Sequence, residues 1–259
     1  MSYETLSLSV DDGLAVITLE NPPVNAIDQA ARHELNDLLG RLREPDVEAV
    51  VFLGTADVFS VGADISLFEQ AQEWTTQEFR RNSRVLGEVF DGLETMEKPI
   101  VAGIRGTCVG GGLELALACD VRIVAPDATL GFPEHNIGLI PGLGGCSRLV
   151  HLVGPGKAKD LVFSRDLIDG ETAHDLGIVE RVAKDPKTSA REYGTDMLDQ
   201  PLQAVGLAKR VINESRTSNL QAAGLLESLA QSTLIETTDH AKGIEAFREK
   251  RDPEFTGEL

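Results

Sequence analysis

The run Gly110-Gly-Gly-Leu-Glu-Leu-Ala-Leu-Ala-Cys119 reads as a helix without a polar face. Apolar side chains fall at 113 and at every position from 115 to 119, hence on all sides of the helical repeat. Such a helix must be wrapped by the rest of the chain. Its one charge, Glu114, sits where burying an ionised carboxylate costs several kcal/mol unless something compensates. The helix dipole offers only about 0.3–1 kcal/mol in the first turn, and a capping box is ruled out because Gly111 occupies the Ser/Thr position. A second glutamate, Glu134, is set in the similar stretch Leu130-Gly-Phe-Pro-Glu-His-Asn-Ile-Gly138. Pro-Glu is a common way to begin a turn or helix, so Glu134 alone has a structural excuse. Two such glutamates together suggest acid/base chemistry.

Wrapping a buried helix takes a sizeable core, and 259 residues, 42% of them hydrophobic, are enough for one large domain with or without an appendage. The longest apolar runs, such as Ala49-Val-Val-Phe-Leu53, fall far short of the roughly 20 residues of a membrane span. The N-terminal Met1-Ser-Tyr-Glu-Thr-Leu6 has neither a secretory nor a transit pattern, so the expected location is cytoplasmic. A net charge of −18 argues against nucleic acid as the main partner. Cys108, Cys119 and Cys146 show no C-x-x-C spacing and are expected to be small buried hydrophobes. The five histidines form no i, i+4 pair, so no metal site is expected.

Thr5–Val10 and Leu14–Leu19 flank Asp11-Asp12-Gly13, a strong hairpin signal. Helical spacing follows over Asp28–Arg43, a buried strand over Glu48–Leu53, a helix over Glu69–Met96 and a strand over Pro99–Ala102. Thr107–Gly112 reads as a turn into the buried helix, and Val121–Ala125 as another strand. From about Gly144 the pattern is mostly helical, with terminal helices over Ala204–Asn213, Leu220–Ile235 and Thr238–Lys250. These imply an α/β region over residues 1–200 and a helical region over 201–259.

Gly110, Gly111 and Gly112 let backbone N–H groups approach a ligand at the positive end of a helix, where an oxyanion can be held. Other anion cradles fail. No G-x-x-x-x-G-K-[ST] occurs, Gly154-Pro-Gly-Lys157 is a turn before a helix, and Gly142-Leu-Gly-Gly145 does not complete a dinucleotide loop because Arg148 stands where the last glycine would be. There is no G-x-S-x-G elbow.

Phe59-Ser-Val-Gly-Ala-Asp-Ile65, Lys98-Pro-Ile-Val-Ala102, Gly110-Gly-Gly-Leu-Glu-Leu-Ala116 and Cys119-Asp-Val-Arg-Ile123 follow one another in an order that resembles the enoyl-CoA hydratase/isomerase (crotonase) superfamily. The likeness runs on through Phe132–Gly145 and closes with Gly243–Gly257. The resemblance implies an α/β fold, a crotonase-like spiral of ββα units with a C-terminal helical trimerisation region, assembled as a homotrimer or a dimer of trimers. It implies an acyl-CoA thioester as ligand, coenzyme A being part of the substrate and no separate cofactor being needed. The backbone N–H groups of Ala63 and Gly111 are then the oxyanion hole, and Glu114 and Glu134 the catalytic pair. Val24, Ala26, Asp64, Ile65, Pro133, Leu139, Phe247 and Lys250 complete the expected substrate-binding set, with Phe247 and Lys250 reaching the adenosine end of the coenzyme across a subunit interface. Because both glutamates are kept, the resemblance implies hydration of a trans-2-enoyl-CoA to a 3-hydroxyacyl-CoA, as in fatty-acid β-oxidation. The alternatives are a delta-3, delta-2-enoyl-CoA isomerase using Glu134 alone, another acyl-CoA enzyme of the superfamily, or a non-catalytic CoA-ester or RNA-binding relative.

Two departures stand out. Pro22-Pro-Val-Asn-Ala26 lacks the lysine that many relatives carry before Asn-Ala, so phosphate contacts must come from elsewhere. Cys146-Ser147 replaces a more usual Thr-Gln, and His135 follows Glu134 as a turn residue that could tune it.

Overall fold

The computed structural model describes residues 3–55 and 57–257. It opens with the expected hairpin, β1 (Leu6–Asp11) pairing antiparallel with β2 (Leu14–Leu19). The turn between them takes positive φ at both central residues, Asp12 at 45° and Gly13 at 88°, the geometry that matches strand twist. A short β3 (Ala26–Ile27) leads into α1 (Gln29–Leu42), whose N-cap Asp28 accepts from Ala31 N.

From there the chain winds in repeated turns. Strand β4 (Ala49–Gly54) is followed by β5 (Val58–Ser60), the two-residue β6 (Gly62–Ala63), and helices α2 (Ile65–Ala71) and α3 (Thr76–Thr95). The next turn is β7 (Ile100–Ile104), β8 (Thr107–Val109) and α4 (Gly111–Leu117). The third is β9 (Val121–Val124), β10 (Thr129–Gly131), a 3-10 turn at Pro133–Ile137 and α5 (Gly145–Ser164). Each turn gives its first strand to a six-stranded sheet, β1-β2-β4-β7-β9-β11, and a second to a three-stranded sheet, β10-β8-β5. That is the expected spiral of ββα units. Helix α6 (Gly170–Leu176), the two-residue edge strand β11 (Arg181–Val182) and α7 (Pro186–Leu198) close the large sheet. Three helices end the chain: α8 (Leu202–Ser215), α9 (Leu220–Leu234) and α10 (Thr238–Glu249).

Strands β4 and β7 are buried at every residue, as parallel strands covered on both faces must be. Alternation divides their side chains: Val50 and Phe52 face the main core with α1, α3 and α4, while Val51 and Leu53 pack with Val101, Ile123 and Ala190 beneath α7. Helix α4 lies wholly inside, all seven residues buried, as its lack of a polar face demands.

Three expectations need correction. Glu69–Met96 is not one helix: the chain breaks after α2, and Thr75 restarts it with a reciprocal capping box to Glu78, a local signal stronger than the continuing periodicity. Residues 107–109 are a strand, β8, rather than part of a turn. Cys146 is exposed, unlike Cys108 and Cys119, because it lies on the outward side of the first turn of α5. The turn expected at Gly154 is present: Gly154 leaves the helical region, with φ 78° and ψ 165°, and Pro155 begins the second helical piece of α5.

Candidate active site

Strand β8 and helix α4 meet at Gly110, whose φ of 54° turns the backbone sharply into the helix. As the first helical residue, Gly111 points its N–H out of the helix end with no acceptor from within the helix. Strand β6 brings Ala63 alongside. A Cβ built on Gly111 would lie 3.4 Å from Ala63 N, and one on Gly62 would lie 2.5 Å from Gly111 N. The two predicted donors therefore stand side by side, at an approach that only glycine at 62 allows, where φ is +85°.

Glu114 follows one helical turn after Gly111 and is 2% exposed. Its Oε1 accepts from Leu143 N at 2.6 Å and from Gly145 N at 2.8 Å. Burial raises its pKa, and these two backbone donors, with the Arg148 guanidinium, oppose the rise. Arg148 also braces the loop: it donates to Leu143 O at 2.9 Å and pairs with Asp91 at 2.7 Å and Glu94 at 2.8 Å on α3. The glycine loop that fails as a nucleotide cradle thus cradles an anion supplied by the chain itself.

Glu134 sits in the 3-10 turn, where Leu139 N closes on its carbonyl at 3.0 Å. Its Oε1 would lie 3.1 Å from a Cβ on Gly110, so the carboxyl hangs over the residue next to the Gly111 donor. Its Oε2 is buried without a hydrogen-bond partner. Burial first, then the charge of Glu114, pushes its pKa up to about 7. The two carboxyls thus feel each other across the mouth of the donor pair, one firmly hydrogen-bonded, the other not.

The remaining expected residues divide. Val24 lies two residues before β3, which Ala26 opens and which pairs with β6 through Ala26–Gly62 and Ile27–Ala63. The Asp64 carboxylate accepts from Ser66 N at 2.8 Å and starts α2 immediately after the Ala63 donor. Ile65 is 55% exposed; Pro133 and Leu139 are half-buried beside Glu134. Phe247 and Lys250 stand on α10 in solvent, Phe247 84% exposed and Lys250 left-handed at the C-cap. His135 Nδ1 is buried without a partner and its ring meets Phe163 edge-on at 6.2 Å, so it is a packed residue rather than a surface one. Among the described residues no His, Cys, Asp and Glu cluster could hold a metal ion, and no helix is long and apolar enough to cross a membrane.

Sequence reasoning missed Leu143, Gly145 and Arg148, which hold Glu114. It also missed that Cys146 follows the Gly145 donor and feels the charge of both glutamates, which with burial raises its thiol pKa.

The family described as enoyl-CoA hydratase/isomerase matches residues 9–258. A crotonyl-CoA hydratase of Syntrophomonas wolfei is 34% identical over 261 residues, covering 98% of this chain and 99% of that protein. A short-chain-enoyl-CoA hydratase of Clostridium acetobutylicum is 33% identical over 256 residues, 97% of each. The crystal structure of an enoyl-CoA hydratase from Bacillus anthracis superposes with a TM-score of 0.91 at 30% identity, covering 98% of this chain and all of that one.

Proposed function

The chain belongs to the enoyl-CoA hydratase/isomerase family, and from that premise we propose that it is an enoyl-CoA hydratase, adding water reversibly to a trans-2-enoyl-CoA. One observation carries the choice of reaction: two carboxyls in different states face one pair of backbone donors. A thioester oxygen between Ala63 N and Gly111 N is polarised, and the negative charge that develops there is stabilised by donors already in place. Both backbone bonds to Glu114 fall on Oε1, so Oε2 is the oxygen that holds a water. Glu114 takes a proton from that water as its oxygen bonds to the β-carbon. Electrons move to the thioester oxygen as an enolate, and the Glu134 carboxylic acid returns a proton to the α-carbon. With a pKa of about 7, Glu134 is substantially protonated at neutral pH while Glu114 works as the base. The step is redox-neutral and uses only the substrate, a water and these groups.

An isomerase would need Glu134 alone and would leave a buried, deliberately anchored Glu114 without work. The names of the curated relatives support hydration. The coenzyme part of the substrate and the assembly belong to the same reading. Exposed Ile212, Leu220, Leu225, Leu229 and Ile235 along α8, α9 and the end of α9 support a helical region that buries against further copies in a trimer or dimer of trimers. There Phe247 and Lys250 would meet a neighbour's coenzyme. Loss of the conjugated-thioester absorbance of crotonyl-CoA, with 3-hydroxybutanoyl-CoA as product, tests the reading. Absence of turnover with enoyl-CoAs of any length, despite saturable binding, would overturn it.

A further inference from the structure

Two backbone donors make an oxyanion hole only while both aim at one point. Gly111 is aimed by α4. Ala63 belongs to a two-residue strand at the end of a segment whose pairing with β8 slips in register between Val58 and Ser60, so its aim needs another support. One side chain touches all the segments concerned. Ser60 is fully buried, 0% exposed. Its Oγ donates to Asn25 O at 2.7 Å and accepts from Gly62 N at 3.1 Å. On its other side, a Cβ on Gly112 would lie 2.5 Å from Ser60 O and 2.7 Å from Ser60 Cβ. Ser60 therefore rests directly on the first turn of α4 while gripping the peptide one residue before the Ala63 donor.

Its anchor is itself fixed. Asn25 is 3% exposed, holds a φ of 52°, and reaches Thr55 Oγ1, Val58 O and Phe59 O from its side-chain amide at 3.0, 3.0 and 3.1 Å. Below it, Val61 N bonds to Val24 O at 3.3 Å and Asp64 N to Ile27 O at 3.2 Å. The hydroxyl of Ser60 thus joins a rigid corner at Asn25 to the Val61–Gly62 peptide, one unit before the one that carries the Ala63 N–H.

We propose that Ser60 is a positioning residue for the reaction: its hydroxyl sets the angle of the Ala63 N–H relative to the Gly111 N–H, and so sets how strongly the thioester carbonyl is polarised. This rests on the hydratase reading, but its decisive measurement does not require turnover. Butanoyl-CoA with a 13C-labelled thioester carbonyl binds without reacting, and isotope-difference infrared spectroscopy reads the stretch of the bound carbonyl, which falls in frequency as the donors polarise it.

For Ser60→Ala, part of that fall is lost, kcat for crotonyl-CoA drops about tenfold or more, short of the 10²–10³ of deleting a donor outright, and KM changes about threefold or less. Ser60→Cys keeps the branching and a polar group, with a slightly larger side chain, while weakening both hydrogen bonds; it gives smaller changes of the same sign and decides the matter if the alanine variant does not fold. Glu114→Gln loses turnover but keeps the wild-type carbonyl stretch, because its lesion lies on the water side. A folded Ser60→Ala with wild-type stretch and wild-type kcat overturns the proposal. So does a fall in kcat with an unshifted stretch, which would make Ser60 merely structural. Failure of the wild-type protein to hydrate any enoyl-CoA, with the stretch still shifted, would overturn the reaction assignment and leave the role of Ser60 standing.

Discussion

The backbone N–H of Gly145 donates to Oε1 of Glu114 at 2.8 Å, and this bond decides how a carboxylate survives inside an apolar helix. With Leu143 N beside it at 2.6 Å, it replaces part of the water that burial removed. The residue proposed to supply charge to the reaction is therefore also the residue that fastens the loop before α5.

These two roles separate by substitution. Glu114→Gln keeps an acceptor oxygen for both N–H groups, so its melting temperature stays close to wild type while hydration falls about 10²–10⁴-fold with loss of the base. Glu114→Ala loses the same activity and also leaves two N–H groups unpaired, at about 1–3 kcal/mol each where they remain buried. Thermal melts beside crotonyl-CoA assays distinguish them; equal melting temperatures for the two variants would show that the bonds to the loop do not hold it.

On the proposed mechanism the pH dependence follows from the single proton that the pair must carry. Overall hydration neither consumes nor releases a proton, so both directions need the pair with one proton on it. With Glu134 at about 7, kcat/KM for hydration and for dehydration both fall as pH rises through about 7. Stability carries the same sign. The folded-state pKa lies above the ordinary 4.5, so the folded chain binds more protons between about 4.5 and 7 and loses stability as pH rises through that window. Glu134→Gln accordingly raises the melting temperature at pH 8, and the gain shrinks toward pH 4.5. A gain that grew toward acid would mean that Glu134 is held ionised instead.

What was legible in the sequence is what periodicity and local chemistry encode. The Asp12-Gly13 hairpin, the all-apolar α4 and the misplaced charge at Glu114 are each specified within about ten residues. The resemblance singled out Ala63 and Gly111, which the structure sets side by side, because whole motifs surround them. The partners of Glu114 were not legible. Leu143 and Gly145 act through backbone N–H groups 29 and 31 residues away, and no side-chain type announces that. Gly142–Gly145 was tested as a phosphate loop, and the physics was right but the anion was a side chain of the same protein. Strands β3 and β6 have two residues each, too few for any alternation to show. Cys146 was misjudged because composition gives a cysteine's usual environment, while its place on the outer side of α5 is fixed by where the preceding loop ends.

Gly62 tests the donor pair from the backbone side. Its φ of +85° and the 2.5 Å from a built Cβ to Gly111 N mean that Gly62→Ala must either shift β6 or push α4 back. On the proposed mechanism a methyl group there also crowds the space of the thioester oxygen. The expected result is hydration reduced about 10²-fold or more, with the fold retained by circular dichroism because the strain is confined to a two-residue strand. Full activity in a folded Gly62→Ala variant would show that Gly111 N does not face the substrate.

Helix α8 is tied to the core by an ion pair that is largely shielded from solvent. Lys209 on α8 is 9% exposed, and its Nζ lies 2.9 Å from Asp120 Oδ2 while donating to Leu93 O at 3.1 Å and Lys98 O at 2.9 Å. Asp120 also accepts from Ile100 N at 2.8 Å at the start of β7, so one cluster joins the end of α3, the end of α4 and α8. Burial raises the pKa of the Asp120 carboxyl and Lys209 opposes it. Removing the lysine strands the carboxylate: Lys209→Met is expected to cost about 3–5 kcal/mol. Without its cation Asp120 protonates more readily, so the loss is smaller at pH 5 than at pH 8. Asp120→Asn in the same chain recovers part of it, because the amide oxygen still accepts from Ile100 N without a buried charge. Denaturant unfolding of the two single variants and the double at both pH values measures the coupling. Additive losses, independent of pH, would mean that the pair contributes only packing.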